Sequence, residues 1–231
     1  SCSAPSLNYV GARKLVDMFS RRFGLRDATT GEVVPRPNNF ENLSNYYLLV
    51  SIPEAVSVLR DQHGGCPEQA LQLLVCLLRY NDNSMNAYSD YHYLVRVMNS
   101  IAGAFSSLST TTSGNQLVNA CLEELDRYAY LERILPSHRN AVMVAVLRAL
   151  GSMQAVGLCA FPLTTYQEYL QHGHYIEVRM AAAEVIARLF PTEAIPVFVE
   201  CLFGDVSMAF RRAVGVVLAQ FVSVPMISVE N

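Results

Sequence analysis

The chain has no tryptophan and one lysine, Lys14, against sixteen arginines. Net charge is −3, so no strong global field draws it to nucleic acid or to an anionic membrane; such a contact has to come from a local patch. It lacks an uninterrupted apolar run of about 18 residues, which excludes a membrane-spanning helix. It also lacks a CxxC pair. Its six cysteines (Cys2, Cys66, Cys76, Cys121, Cys159 and Cys201) are far apart and read as buried free thiols of a reducing compartment, not as a disulfide frame. No H-E-x-x-H, G-x-S-x-G or P-loop occurs, which removes the motif-borne zinc-peptidase, hydrolase and nucleotide-binding readings. No signal peptide opens the chain, and its first residue is Ser; we expect a piece of a longer polypeptide.

What is present is apolar. Of 231 residues 52% are hydrophobic, enough to fill a large core in one or two domains. Helix-period stripes dominate and strand alternation is scarce. A first helix is expected from Val10 to Phe23, with Leu15, Val16, Phe19 and Phe23 on one side. Residues 24–43 carry Gly, Pro and Asn and are expected to be a loop. This divides the chain into an N-terminal helix and candidate linker, 1–43, and a helical domain, 44–231. "SIPE" at Ser51–Glu54 has the form of a capping box and predicts a short helix to about Gln62. Pro67 and Glu68 suit a helix start, and 67–80 is apolar on nearly every side, as in a helix buried between neighbours. Ser89 is placed as the cap of a helix with Leu94, Val97, Met98, Ile101, Phe105 and Leu108 on one face. Residues 106–115 are expected to be a solvated loop, followed by a stripe from Leu117 to Tyr128. Ser137 precedes a helix to about Met153, Thr165–Glu168 is a second capping box, and helices are expected at 165–172, 175–190, 193–203 and 207–222.

The last two long helices repeat. With an offset of 32, Val178-Arg179 aligns with Phe210-Arg211, and Ala182, Val185, Ile186 and Leu189 align with Val214, Val217, Leu218 and Phe221. An apolar residue, an Arg and a small-and-apolar stripe form the second-helix pattern of HEAT repeats. Arg96 and Arg139 mark looser earlier copies, and successive Arg spacings are 43, 40 and 32. HEAT units run about 40–47 residues, so the last is short. Asp205 fills the intra-repeat turn position, where the preceding repeat has Gly173. The framework set is therefore Arg96, Arg179, Asp205 and Arg211. The fold class that follows is all-α, an α–α superhelix of HEAT-like repeats, in which stacking buries the faces that one helix pair cannot cover alone.

The polar run "YNDNSMNAYSD" sits between two helices. Asp82, Ser84, Asn86, Tyr88 and Asp90 match positions 1, 3, 5, 7 and 9 of a calcium loop, but Ala87 stands where Gly is needed and Tyr93 where the bidentate Glu belongs. Turn chemistry accounts for Asn81, Asp82, Asn83 and Ser89. Asn81, Asp82, Asn83, Asn86, Tyr88 and Asp90 remain as a candidate partner-contact turn. His172 and His174 with Glu177 are too few to converge as a metal site and read as a polar turn. Cys121 lies in an apolar stripe and reads as core. Glu123 and Glu124 diverge on a helix and make no acid–base pair. Arg13, Lys14, Arg21 and Arg22, and separately Arg133 and Arg139, are candidate phosphate contacts, diluted by Asp17, Asp27 and Glu132.

The run from Ile52 to Tyr93, with "ILPSHRNAVMVAVLRAL" and "YLQHGHYIEVRMAAAEVIA", resembles the C-terminal region of the TATA-binding-protein-associated factor 2 family. The resemblance covers roughly residues 43–222. Its most specific part is Arg79–Tyr93, with Tyr-Asn-Asp-Asn followed by Tyr-Ser-Asp-Tyr-His-Tyr. It implies a non-catalytic helical module of an aminopeptidase-like subunit of TFIID, found in the nucleus, with other TFIID subunits as partners. Promoter DNA would be met mainly through the whole assembly. No cofactor, membrane or small-molecule substrate is implied, and no catalytic residue carries over. The alternative is the C-terminal helical domain of an active zinc aminopeptidase whose catalytic domain lies elsewhere.

Overall fold

The computed structural model describes residues 10–26, 28, 33–61, 64–106 and 114–223. The chain divides into two compact units, residues 1–159 and 160–231. Among the described residues the fold is all-α apart from one short hairpin, the class expected from the helical periodicity.

The first unit opens with α1 (Val10–Phe23), whose bounds match the sequence expectation. Part of the expected loop is a hairpin instead: β1 (Gly24–Arg26) pairs antiparallel with β2 (Val33–Pro35). Three residues per strand are too short to produce a visible alternation. The helix predicted from "SIPE" is also corrected. One helix, α2 (Leu43–Ser57), runs through that motif and holds Pro53 inside it. Its true cap is Asn42, whose side-chain oxygen accepts from Asn45 N at 3.0 Å. Ser51 Oγ is left to donate to Leu48 O, one turn back in the same helix, at 2.8 Å. Local capping chemistry fits both places; the earlier one prevails because Leu49, Ile52, Pro53 and Val56 then share one buried run.

The α3 helix (Glu68–Arg79) buries residues on most sides, from Ala70 to Leu78. It leads through the 80–90 turn to α4 (Tyr91–Phe105), then α5 (Gly114–Ile134) and α6 (Ala141–Ala155). Most of the expected 106–115 loop, with Leu108, lies outside the described residues. A 3-10 turn at His138–Asn140 separates Ser137 from α6, so this helix starts later than the sequence suggested. The α4 helix is central: it packs on α2, α3 and α6. Its buried Tyr93, Leu94, Val97, Met98, Ile101 and Phe105 recur at helical spacing. Each large apolar side chain so buried contributes about 1.5–3 kcal/mol relative to exposure. The α1 helix and β2 close the other side of α3.

The second unit holds α7 (Leu163–Gln167), α8 (Ile176–Leu189), α9 (Pro191–Gly204) and α10 (Met208–Ser223). The α7 helix starts after Pro162, before the supposed cap at Thr165, and ends in a 3-10 turn at Glu168–Leu170. On α8, Ala181, Ala182 and Ala183 are fully buried with Val178 and Ile186, which lets α9 and α10 approach closely.

Ala182→Asp puts an unpaired carboxylate in that packed stripe. It is expected to destabilise the chain by about 3–5 kcal/mol, read as a fall in melting temperature. An unchanged melt would contradict the burial of this position.

Candidate partner-contact site

The polar turn after α3 is held from within. Asp90 is 6% exposed, and its Oδ2 accepts from Asn38 Nδ2 at 2.6 Å and from Asn81 Nδ2 at 2.8 Å. Asn38, itself 3% exposed, comes from the strap between β2 and α2. Its backbone N donates to Asp82 O at 2.8 Å, and its carbonyl accepts from Asn86 Nδ2 at 2.7 Å. Asn86 Oδ1 accepts from Phe40 N at 3.3 Å. The turn therefore ties residues 38–40 to the end of α3 and the start of α4. Within the turn, Asp82 Oδ1 accepts from Ser84 N at 2.8 Å, which holds its carboxyl below the usual range, and Asn83 Nδ2 donates to Tyr88 O at 2.7 Å. Asp90 is the N-cap residue of α4, while Ser89 Oγ accepts from Tyr91 N at 3.3 Å. Of the six candidate turn residues, Asn81, Asn86 and Asp90 face this internal network. Tyr88 points out, 78% exposed, and Met85, not singled out in the sequence, is 80% exposed.

A second turn lies beside the first. The Tyr91 ring is 6.3 Å from the His138 ring, which brings the α5–α6 connection next to the start of α4. This turn too is built on a buried acid. Glu132, 4% exposed, accepts from Ser137 N at 3.1 Å, Ser137 Oγ at 2.6 Å and Asn140 Nδ2 at 3.3 Å. Ser137 Oγ in turn accepts from Val142 N at 3.2 Å. Arg139 and Asn140 take positive φ of 53° and 51°, a left-handed pair that the Glu132 contacts hold in place. Ile134 and Leu135 are exposed on its outer side. A third buried acid, Glu124, accepts from Arg79 Nε at 2.9 Å and Arg127 Nε at 2.8 Å. Arg127 and Tyr128 also donate to the carbonyl of Leu78, at 3.2 and 3.0 Å, satisfying the C-terminal end of α3. Glu123 is exposed while Glu124 is buried, and Arg79 reaches both, Glu123 at 3.9 Å.

In the second unit Arg179 is the fourth residue of α8 and Arg211 the fourth of α10. Arg179 is buried: its Nε donates to Leu170 O at 2.7 Å, its Nη1 reaches Asp205 Oδ1 at 3.3 Å, and its Nη2 pairs with Asp205 Oδ2. Its guanidinium stacks 3.7 Å from the Phe210 ring centroid. Asp205 Oδ1 also accepts from Ser207 N at 2.7 Å, forming the turn into α10. The Arg179 guanidinium holds the Asp205 carboxyl below the usual range. The earlier positions differ. Arg96 is exposed and bonds Glu54 at 2.6 Å, and Arg139 lies in the turn before its helix.

Arg13, Lys14, Arg21 and Arg22 share α1, whereas Arg133 and Arg139 flank the α5–α6 turn, so they belong to separate elements. Arg22 donates to Asn45 Oδ1 at 2.5 Å. His172 and His174 bracket Gly173, whose φ of 122° favours glycine, and the His174 ring is 5.5 Å from that of Tyr169. Among the described residues no three His, Cys, Asp or Glu side chains gather as a metal site, and no helix is long and apolar enough to cross a membrane. Sequence reasoning missed Asn38, Glu124 and Glu132. Asn38 and Glu132 find their partners on another segment or across a turn; the i,i+3 pair of Glu124 with Arg127 was a local signal, but its link to Arg79 was not.

Two outcomes follow from these contacts. Asn38→Ala removes a hydrogen bond to the buried Asp90 carboxylate; a loss of about 1–3 kcal/mol is expected, with faster proteolytic cleavage in the 36–42 strap. For Asp205, a depressed native pKa stabilises the fold above the ordinary carboxylate pKa of about 3.9, and this contribution is lost as pH falls through the native value. Urea unfolding between about pH 4 and pH 2 should therefore show a shallower pH slope in Asp205→Asn than in the wild type. Equal slopes would remove Asp205 from the acid transition.

Similar proteins share this chain's sequence along most of its length. It matches the family described as "TAF2-like, TPR repeats" over residues 3–224. It is 32% identical over 185 residues to "Transcription initiation factor TFIID subunit 2" of Danio rerio, covering 77% of this chain and 15% of that protein. The protein of the same name from Gallus gallus is 29% identical over 185 residues, with 77% and 16% covered. That from Schizosaccharomyces pombe is 27% identical over 222 residues, with 92% and 19% covered. The chain thus spans under one fifth of the length of these curated relatives. The family description names TPR repeats where the sequence pattern suggested HEAT. Both are stacked helix pairs, and the 32-residue offset between Arg179 and Arg211 lies nearer the TPR period of about 34 than the HEAT range. The chain belongs to the TAF2-like, TPR-repeat family.

Proposed function

We propose that this chain is a non-catalytic interaction module of a TFIID subunit, acting in the nucleus to help assemble the general transcription factor on core promoters. The observation that carries this reading is the family match along nearly the whole chain, with relatives named as TFIID subunit 2. The thiol chemistry is consistent with a scaffold. Burial pushes the Cys121 thiol up to about 12 and, despite nearby Arg60, the Cys66 thiol up to about 11, so neither supplies thiolate at neutral pH.

Its partners are other TFIID subunits, with promoter DNA met mainly through the assembly. The contact is at the end of the first unit where the 80–90 and α5–α6 turns meet. Met85 and Tyr88 are exposed on the first turn, and Ile134 and Leu135 are exposed where α5 runs into the second, whose His138 ring lies 6.3 Å from Tyr91 at the start of α4. Large apolar side chains exposed on turns that are braced from beneath suit a protein partner. Of the candidate turn residues, Tyr88 makes the direct contact, and Asn81, Asn86 and Asp90 hold the turn beneath it.

Co-expression with the remaining TFIID subunits tests this. Met85→Glu with Tyr88→Glu should reduce co-purification by about tenfold, the scale of a lost interface anchor, with the melting temperature unchanged. Undiminished co-purification of that variant would move the contact elsewhere. Failure of the wild-type chain to co-purify at all would reject the module reading itself.

A further inference from the structure

The outer face of α1 plays no part in that reading. Leu15, Val16, Phe19 and Phe23 turn inward. Lys14, Asp17, Met18, Arg21 and Arg22 are exposed, as are Leu25 and Arg26 just beyond the helix. Residues 10–26 hold five basic side chains and one acidic one, a local charge of +4; with −3 overall, the rest of the chain carries −7. A local excess of positive charge thus sits on and just beyond α1 in a chain whose remaining residues are net acidic.

Helix stability does not explain the whole pattern. Arg21 and Arg22 in the last turn complement the helix dipole, but Arg13 and Lys14 sit within the first five residues, at its unfavourable end. Only Asp17 offsets them on the helix. Among the described residues neither Lys14 nor Arg21 is held in an ion pair. Spacing of four and three residues sets Lys14, Met18 and Arg21 along one stripe, with Arg22 alongside. Met18 is a flexible, polarizable apolar side chain between cations, suited to pack on an aliphatic partner.

We propose that this face docks an acidic, amphipathic segment of a partner protein, with carboxylates on Lys14, Arg21 and Arg22 and an aliphatic side chain on Met18. Charge complementarity sets the sign of the partner. Three features favour a peptide over a nucleic acid. Asp17 stands within the stripe, where a peptide can set an uncharged residue opposite it but the unbroken charge of a phosphate backbone cannot avoid it. The −7 carried by the rest of the chain opposes a polyanion that extends past the patch, whereas a short segment confines its charge to it. The apolar element is Met18, not an aromatic platform for stacking bases. This surface is independent of the turn proposed for TFIID assembly, so either can fail alone.

The test is fluorescence anisotropy on the whole 231-residue chain with a synthetic helical peptide of alternating Glu and Leu faces, about 20 residues long. Lys14→Glu with Arg21→Glu should weaken binding by about tenfold or more. The milder Lys14→Gln with Arg21→Gln should weaken it in the same direction and covers the event that charge reversal unfolds the helix. Arg188→Glu with Arg212→Glu, two exposed arginines outside α1, should change it by less than about twofold, because this pair alters net charge as the α1 pair does but leaves the α1 face intact. A Glu-to-Gln peptide should bind about tenfold more weakly. Insensitivity to both α1 variants overturns the proposal, and so does a DNA duplex bound as tightly as the acidic peptide at about 150 mM salt.

Discussion

Among the described residues the carboxylates of Asp90, Glu124 and Glu132 are buried and that of Asp205 nearly so, and each must find its hydrogen bonds inside. A buried carboxylate left without partners costs several kcal/mol, so the segments that supply its donors have little freedom to be elsewhere. Asp90, Glu132 and Asp205 lie at helix ends, and Glu124, midway along α5, meets the C-terminal end of α3. Asp90 receives the strap through Asn38, Glu124 joins the end of α3 to α5 through two arginines, and Glu132 shapes the turn into α6. Asp205 fixes the turn into α10 and binds Arg179 from the preceding helix pair.

The apolar core cannot do this by itself. Its driving force is large but non-directional, and a helix such as α3, buried on most sides, gains similar area over a range of rotations. Hydrogen bonds at its ends are directional. When Arg127 and Tyr128 donate to the Leu78 carbonyl, they fix where the last turn of α3 meets α5. Packing therefore supplies the bulk of stability, and the acids at the junctions choose among packings of similar area.

That division explains what was legible in the sequence. Helices α1, α3 and α8 were visible because their apolar spacing is set locally. The Arg179 and Arg211 positions were visible because the repeat puts the same pattern at two places. The α2 boundary was misread because "SIPE" is locally as good a start as Asn42; only the burial of Ile52 and Pro53 decides between them. The hairpin gave no signal in three-residue strands. The 81–90 run announced a turn, but its main partner, Asn38, lies 52 residues before Asp90. Polar residues that look solvated in a one-dimensional reading become internal when a distant strap covers them, and no local pattern records that strap.

The same arrangement bears on binding. A loop that must become ordered when a partner arrives subtracts that entropy from the affinity. Here the turns that carry Tyr88, Met85, Ile134 and Leu135 are already tied down, by Asp90 and Asn86 under one and by Glu132 under the other. Their exposed apolar side chains stand on hydrogen-bonded supports, so a partner at the proposed surface would have mainly side-chain motion left to restrict. A polar run that first suggests a metal loop is then understood as the brace of a surface. Asn81, Asn86 and Asp90 face inward and hold the turn from which Tyr88 and Met85 are exposed.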